Sequence, residues 1–332
     1  MTASSRRIGI IKPCCLGDAV MALPVIDNLL AADPETETDV FCGAHTRPVF
    51  EAHGAIASIV DVPSIPTWPD LPALIHKLRA SSASGFFILD RSRLIHLAAR
   101  ISGSRILGTT RRTDRRIMHE TDRYLDTLRQ SGTPVSIREP SLDLHPFATP
   151  AVQHLANEAR SPFVILHPGG AENPGAMMHS KRWPAERWIS LIDWLEGQGI
   201  SSILTGSPAE RQLCEQVAAG SGAIIAAGSL SILESAALAS RSTAFIGPDT
   251  GLSHLAAATG TPTIAIFGPT NPRQYAPRGA RVTVLAPDAS YRIADTDLRK
   301  GGTGPGPSTD SIDVESVIGA LSELLDAKRV CR

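Results

Sequence analysis

The chain has 332 residues, with 32 Lys plus Arg, 33 Asp plus Glu and a formal net charge of −1, so it lacks the basic excess of a dedicated nucleic-acid-binding protein. At roughly 150 residues per domain, this length predicts two domains. The five cysteines form no CxxC pair, and no apolar run approaches the roughly 20 residues of a membrane span. We therefore expect a soluble, cytoplasmic protein with reduced thiols and no nucleic-acid partner.

Short apolar runs rich in Val and Ile alternate with helix-length amphipathic stretches along the whole chain. The predicted strands are 8–12, 39–42, 58–62, 86–90 and 105–108, then 163–167, 202–205, 223–226, 243–246, 263–267 and 282–285. The predicted helices are 18–32, 70–80, 92–101, 119–131, 184–197, 208–219, 231–239 and 251–259. This alternation predicts an α/β protein with parallel sheets covered on both faces.

The weakest periodicity lies between the two series of strands, at about 132–162, where five prolines occur. We place the domain boundary near 150, which gives domains at 1–150 and 151–310. After a glycine- and proline-rich loop at 301–307, residues 311–332 are predicted to contain a final helix.

The first predicted strand leads into the turn Lys12-Pro13-Cys14-Cys15-Leu16-Gly17-Asp18. Ligands of open α/β sheets bind at the carboxyl ends of strands, so this turn lies where a substrate could bind. Asp18 fits two roles: it either caps the following helix or acts as a general base. The turn lacks the GxGxxG spacing of dinucleotide-binding proteins, which disfavours such a cofactor.

The segment 247–254, GPDTGLSH, joins a predicted strand to an Ala-rich helix. Free N–H groups and the positive end of the dipole at a helix start can bind a diphosphate without a metal. His254 lies four residues after Thr250 and therefore on the same side of that helix. The alternative is an ordinary strand-to-helix turn. An aspartic-protease interpretation of Asp-Thr-Gly fails because the surroundings are α/β and the motif occurs once.

Two further segments carry candidate ligand-binding groups. Gly169 and Gly170 follow a buried strand, where glycines let a ligand approach the backbone closely. Lys181 offers a positive charge for phosphate, although a lysine before a helix is more often solvated. Residues 91–123 contain nine Arg against three acids, among them Arg111 and Arg112. This patch is either a solvated basic loop or a site for an anionic acceptor or membrane face.

These motifs, in this order, resemble glycosyltransferase family 9, the bacterial heptosyltransferases that build the lipopolysaccharide inner core. The resemblance covers most of the chain and rests on IGIIKPCCLGDAVMALPVIDNLL, on His119-Glu120 with Arg123-Tyr124-Leu125, and on HPGG…KRWPAERW, TGSPAE and GPDTGLSHLAAATGTPTIAIFGPTNP. It implies a GT-B fold, in which two Rossmann-like domains have parallel sheets that face a central cleft. The N-terminal domain is then expected to bind the acceptor, and the C-terminal domain the nucleotide sugar.

The resemblance also implies roles for individual residues. Asp18 corresponds to the proposed general base. The donor-binding residues implied are Gly169, Gly170, Lys181, Glu210, Leu230, Asp249, Thr250, Gly251 and His254, with Glu210 near the nucleoside and Leu230 near adenine. Acceptor binding is assigned to Lys12, Arg111, Arg112 and His119. No metal ligand is expected, because the chain has no DxD triplet and no carboxylate cluster.

The leading hypothesis is an inverting, metal-independent glycosyltransferase that moves a heptose from ADP-heptose to an acceptor of the lipopolysaccharide inner-core type. The acceptor is expected to be a saccharide or lipid-linked, and the enzyme to make peripheral contact with the inner membrane. The alternative is a related transferase that uses another nucleotide sugar, or acts on a protein or natural product. Three departures from the family pattern keep it open: Cys14-Cys15 in place of two serines, an insertion at 171–179, and a cysteine-free 291–311.

Two other classes of protein are disfavoured. A sugar-nucleotide-binding protein without catalysis would have no reason to retain Asp18, Lys181 and His254 together. A nicotinamide dehydrogenase would need the glycine fingerprint and its acidic ribose partner, which are absent from the sequence.

Overall fold

The computed structural model describes residues 6–110, 117–159, 161–170, 172–173, 176–292 and 307–330. The chain divides into two compact units, unit 1 (Met1–Ser141) and unit 2 (Leu142–Arg332). The sequence-based boundary near 150 lies later than this division. Leu142 and Leu144 are both buried, and the amide of Leu142 donates to the carbonyl of Ala258, so these residues belong to unit 2.

Unit 1 is a five-stranded parallel sheet with helices between its strands. Its elements are β1 (Arg7–Ile11), α1 (Leu16–Ala32), β2 (Glu37–Cys42), α2 (Arg47–Ala52), β3 (Ser58–Asp61), α3 (Leu71–Ala80), β4 (Phe86–Ile88), α4 (Arg93–Ser102), β5 (Ile106–Thr109) and α5 (Glu120–Gln130). The strand order is β3-β2-β1-β4-β5 and every pairing is parallel. The order reverses at β1 and β4, which makes their carboxyl ends the expected ligand-binding position.

Unit 2 repeats this plan with a sixth strand. Its elements are α6 (Pro150–Ala159), β6 (Phe163–Leu166), β7 (Glu172–Asn173), β8 (Ala176–Met177), α7 (Ala185–Gly197), β9 (Ser201–Leu204), α8 (Arg211–Ala218), β10 (Ile224–Ile225), α9 (Ile232–Ser240), β11 (Ala244–Pro248), α10 (Gly251–Ala258), β12 (Thr263–Ile266), α11 (Pro272–Tyr275), β13 (Val282–Leu285) and α12 (Val314–Val330). The main sheet is parallel, in the order β10-β9-β6-β11-β12-β13. Here the order reverses at β6 and β11.

The predicted α/β order is confirmed, because the central strands are apolar on both faces. Every residue of β6, β11 and β12 is buried. Helices α2, α6 and α11 were not predicted from the sequence. The first has only six residues, and the second lies inside the proline-rich segment, where Pro150 occupies the helix start instead of breaking the helix. The insertion at 171–179 contains the short antiparallel pair β7–β8.

The segment before α12 is hydrogen-bonded to the segment before α7. The indole Nε1 of Trp183 donates to the carbonyl of Ile312 at 2.8 Å, and Thr309 Oγ1 donates to the carbonyl of Arg182 at 2.6 Å. Trp183 also packs edge-to-face on Trp188, with ring centroids 5.0 Å apart. Thr309 and Ile312 are therefore hydrogen-bonded to the segment that contains Arg182 and Trp183. No helix among the described residues is both long enough and apolar enough to cross a bilayer.

Candidate active site

In unit 1 the candidate base lies at the carboxyl end of β1. Asp18 is in the first turn of α1, and its side chain is 22% exposed. Its Oδ1 accepts a hydrogen bond from the hydroxyl of Tyr124 at 3.0 Å, and its Oδ2 lies 3.6 Å from Nζ of Lys12. Two fixed partners therefore orient the carboxylate and leave part of it open to a substrate.

The protonation of both partners suits this role. Burial lowers the pKa of Lys12, but the negative charges of Asp18 and Asp90 outweigh burial and raise the pKa overall, so the ammonium stays charged. Burial first, and then the charge of Asp18, raise the pKa of Tyr124 well above its usual value. The phenol thus remains a hydrogen-bond donor to Asp18. Tyr124 was not among the predicted site residues, because its partner is 106 positions away in the sequence.

The residues predicted to bind the acceptor have different surroundings. Lys12 is buried beside Asp18. His119 is the N-cap residue of α5, where its Nδ1 accepts from the amide of Thr121 at 3.2 Å, so it has a structural function whether or not it also binds an acceptor. Arg111 and Arg112 lie outside the described residues. Acceptor binding by these four residues stays a prediction.

In unit 2 the loop after β6 brings Gly169 and Gly170 against two other candidate residues. A Cβ atom at Gly169 would lie 2.2 Å from Oε1 of Glu210, and one at Gly170 would lie 2.5 Å from Cγ2 of Thr250. Gly170 also has φ +86°, a backbone conformation that favours glycine. Its amide donates to Glu210, and its carbonyl accepts from Nε of Arg182 at 3.1 Å. The glycines are therefore required for the close approach of three loops.

A buried charged cluster lies beside these loops, at the end of β11. Nζ of Lys181 donates to Oδ2 of Asp249 at 2.7 Å, and the two side chains are only 7% and 9% exposed. The hydroxyl of Thr270 donates to the same oxygen at 2.7 Å. Nε2 of His254 lies 3.9 Å from Oδ1 of Asp249, which is too long for a hydrogen bond but close enough for an electrostatic contact.

Asp249 is the charged centre of this cluster. Burial acts to raise its pKa, but the charge of Lys181 and the proximity of His254 overcome burial and hold the pKa well below its usual range. The carboxylate therefore stays ionised and fixes the Lys181 ammonium in place. Within the described part of the chain, Nδ1 of the buried His254 has no hydrogen-bond partner. The hydrogen-bonding capacity of that buried nitrogen is therefore unused among the described residues.

The chain matches the family described as Glycosyltransferase family 9 (heptosyltransferase) over residues 112–296, more than half of its length. It belongs to glycosyltransferase family 9. It is 29% identical to lipooligosaccharide heptosyltransferase 2 of Haemophilus influenzae over 175 residues, which cover 49% of this chain and only 47% of that protein. It is 24% identical to lipopolysaccharide heptosyltransferase 2 of Salmonella typhimurium over 362 residues, which cover 98% of this chain and all of that protein.

Solved structures share the fold over nearly the whole chain. A family 9 glycosyltransferase from Veillonella parvula superposes with a TM-score of 0.79 at 23% identity, covering 98% of both chains. The E. coli ADP-heptose lps heptosyltransferase II superposes with a TM-score of 0.75 at 20% identity, covering 97% of this chain and 99% of that one. The GT-B fold and a glycosyltransferase activity, both implied by the motifs, are confirmed.

Within this glycosyltransferase, the donor-side residues predicted from the sequence lie together at the carboxyl edge of the second sheet. Eight of them follow the end of β6, β9 or β11 or precede α7: Gly169, Gly170, Lys181, Glu210, Asp249, Thr250, Gly251 and His254. Leu230 is half-buried just before α9. Their donor-binding roles stay predictions, as does the role of Asp18.

Sequence reasoning missed two polar groups of the same edge in this glycosyltransferase. Thr270 follows β12 and donates to Asp249. His167 follows β6, and its Nδ1 lies 3.0 Å from the carbonyl oxygen of Thr205. Burial acts to raise the pKa of Glu210, but the electrostatic interaction with His167 is one of the contacts that lower it. His167 is the last residue of one predicted buried strand, and Thr270 follows another; that position was the available signal.

Among the described residues, no group of three or more His, Cys, Asp or Glu side chains is placed to hold a metal ion. One structure of the same fold, TibC from E. coli, is named an iron-containing dodecameric heptosyltransferase in complex with ADP-D-beta-D-heptose; it is 15% identical, with a TM-score of 0.63, over 98% of this chain and 78% of that one.

Proposed function

We propose that this glycosyltransferase moves a heptose from ADP-heptose to a saccharide acceptor of the lipopolysaccharide inner-core type, with inversion and without a metal ion. The observation that carries the proposal is the buried Lys181–Asp249–His254 cluster beside the start of α10. A cation fixed next to free helical N–H groups suits a diphosphate leaving group. The names of the family 9 relatives support the choice of sugar and acceptor.

Asp249 is proposed to act through its neighbours. A carboxylate repels a diphosphate, and Oδ2 of Asp249 already accepts from Lys181 and Thr270. Its contribution is to hold the Lys181 ammonium, which has three N–H groups, so that one of them reaches the phosphate oxygens. The amides at Gly251 and the following residues then bind from the helix start. Charge that develops on the leaving group meets groups already in position.

Glu210 is proposed to bind the nucleoside. Its two carboxylate oxygens accept from the amides of Gly170 and Ser207. Each oxygen has a second lone pair, so ribose hydroxyls can still donate to it. The amides and His167 lower the pKa of Glu210 despite burial, which keeps it an acceptor. Leu230 is assigned to the adenine ring.

Asp18 is proposed to take the proton of the attacking acceptor hydroxyl. Attack on the anomeric carbon from the face opposite the diphosphate inverts its configuration. Tyr124 and Lys12 orient the carboxylate for this step. A neighbouring cation also favours the anionic acceptors of the inner core.

The test is incubation of the purified protein with ADP-heptose and a panel of inner-core acceptors, with the product read by mass spectrometry and its anomeric configuration by NMR. We expect a product whose anomeric configuration is opposite to that of the donor. The same amount of product is expected in the presence of EDTA. Lys181→Met is expected to weaken ADP binding at least about 10-fold, whereas the matched variant Lys77→Met in unit 1 leaves it unchanged. Transfer from a different nucleotide sugar alone, or loss of activity in EDTA with rescue by a divalent metal, would refute the proposal.

A further inference from the structure

Two consecutive thiols occupy the turn between β1 and α1. The Sγ atoms of Cys14 and Cys15 lie 3.0 Å apart, closer than the roughly 3.5–4.0 Å of ordinary packing contacts between carbon atoms. Both side chains are partly exposed, whereas Cys42 and Cys214 are buried. The pair therefore combines mutual contact with access to small molecules.

The backbone explains how adjacent side chains can meet. Successive side chains of an extended chain point to opposite sides, which would separate the two sulfurs. Cys15 has φ +70°, and within the described residues no other non-glycine residue has a positive φ. This left-handed conformation is costly for a residue with a Cβ atom and persists only where its surroundings enforce it. Here it brings both thiols to one side of the turn.

The two thiols differ in their surroundings. The hydrogen bond from Cys15, followed by the positive charge of Lys12, lowers the pKa of Cys14 despite burial and the opposing charges of Asp18 and Asp90. The same hydrogen bond, together with burial, raises the pKa of Cys15. The start of the 17-residue helix α1 also favours a thiolate in this turn. Cys14 is therefore the better nucleophile, and Cys15 is held against it as a thiol.

We propose that Cys14 and Cys15 form a redox-active dithiol that a hydroperoxide converts into a disulfide within the turn. With hydrogen peroxide as the oxidant, the Cys14 thiolate attacks one oxygen atom and the O–O bond breaks. The products are a sulfenic acid on Cys14 and a hydroxide ion. The Cys15 sulfur then attacks Cys14 Sγ, and the S–O bond of the sulfenic acid breaks. The hydroxyl group leaves as water with the proton of the Cys15 thiol. Both sulfurs are oxidised by one electron each, and the peroxide becomes one water molecule and one hydroxide ion, which forms a second water with the proton that Cys14 lost on ionisation.

The resulting bond is easily reduced. Cα atoms of adjacent residues are about 3.8 Å apart, which is shorter than the roughly 4.4–6.8 Å span of ordinary disulfides. Strain of this kind raises the reduction potential of a disulfide. A small dithiol such as dithiothreitol therefore restores both thiols at once, and the oxidation is reversible.

Oxidation would also act on Asp18. Ring closure draws the sulfurs from 3.0 Å to about 2.05 Å and removes the thiolate charge next to Lys12. The carbonyl of Cys15 accepts from the amide of Ala19 at 2.9 Å, so a change at Cys15 is transmitted to the first turn of α1, which carries Asp18. This consequence rests on the proposed function, whereas the disulfide itself does not.

The experiment treats the full-length protein with one equivalent of hydrogen peroxide, alkylates the remaining thiols and maps them by mass spectrometry. Trypsin together with Asp-N yields residues 8–17, because trypsin does not cleave between Lys12 and Pro13. That peptide contains no cysteine other than Cys14 and Cys15. We expect it to be lighter by two hydrogen atoms and protected from alkylation, and dithiothreitol to reverse both changes. Alkylation of both thiols, irreversible sulfinic acid, or a disulfide between two chains would overturn the proposal.

Two variants assign the order of events, each compared with its own reduced form. Cys15→Ser is expected to stop at a sulfenic acid on Cys14 that dimedone labels. Cys14→Ser is expected to slow oxidation of the peptide at least about 10-fold, because the remaining thiol is the poorer nucleophile. Equal rates for the two variants would contradict the assignment. Because wild-type mapping alone decides whether the disulfide forms, a variant that fails to fold leaves the test intact.

The effect on transfer is a separate measurement. If the proposed function holds, the oxidised protein loses at least about 10-fold in turnover, and dithiothreitol restores it. A disulfide that forms without any change in turnover retains the modification site but refutes its link to Asp18. Absence of transfer in both forms refutes the proposed function and leaves the disulfide to be judged by mapping.

Discussion

Replacing Asp249 by Asn tests the buried cluster of unit 2. The substitution keeps the shape of the side chain but leaves the Lys181 ammonium, which is 7% exposed, without its anionic partner at 2.7 Å. At an effective dielectric constant of about 20, this contact represents about 6 kcal/mol, part of which is offset because Asn is easier to bury than a carboxylate. We therefore expect a loss of about 3–5 kcal/mol in the free energy of unfolding of unit 2, the usual range for breaking a buried pair.

The assay is urea denaturation followed by tryptophan fluorescence. Trp183 and Trp188 are buried in unit 2, whereas Trp68 of unit 1 is 70% exposed, so the emission change reports mainly on unit 2. Thr270→Val is the matched control, because it removes the hydroxyl that donates to the same Oδ2 and leaves the ion pair. Its expected loss is about 1.5–3 kcal/mol. An Asp249→Asn protein no less stable than the Thr270→Val protein would refute the reasoning.

Three further predictions concern the site and its stability. Asp18→Asn is expected to lower turnover at least about 10²-fold and Tyr124→Phe about 10-fold, both with unchanged ADP affinity by calorimetry. Wild-type turnover in Asp18→Asn would leave Asp18 only a structural role in the first turn of α1. Gly170→Ala is expected to destabilise the protein by more than Gly103→Ala, since both have positive φ but only Gly170 also meets a side chain; equal losses in urea midpoint would contradict this. Because the folded-state pKa of Asp249 lies below its unfolded value of about 3.9, its stabilisation is present above that pH and is lost as the pH falls through the folded value. Unfolding free energies at about pH 5 and about pH 3 are therefore expected to differ more in the wild type than in Asp249→Asn, and parallel decreases would exclude this source.

The sequence predicted the order of strands and helices because buried parallel strands read as continuous apolar runs. Predicted ends differ from the observed ones mostly by one or two residues, as at β1, predicted at 8–12 and observed at Arg7–Ile11. Helix α6 was missed although Pro150 was a start signal and Val152, Ala156 and Ala159 are buried at helical spacing. The neighbouring prolines concealed that periodicity.

Candidate site residues on strand-end turns were found because the position itself is informative. Their supporting partners could not be found, since nothing local in the sequence connects Tyr124 with Asp18 or Thr270 with Asp249. The left-handed backbone of Cys15 was likewise unforeseeable, because the sequence there offers no glycine or asparagine to indicate it. Tertiary contacts determine the two hydrogen-bonded pairs.

The hydrogen bonds that residues 309–312 form with the segment before α7 affect the order in which the protein can fold during synthesis. Unit 1 is assembled from successive strand–helix segments, so its sheet can form while unit 2 is still being translated. The turn that carries Lys181 has to wait for Thr309 and Ile312, which hydrogen-bond to residues 127 to 129 positions earlier in the chain. A nascent chain that ends before residue 309 therefore presents Lys181 on an unsupported turn. The proposed nucleotide-sugar site of unit 2 is therefore expected to be completed late in translation, after unit 1 has already folded.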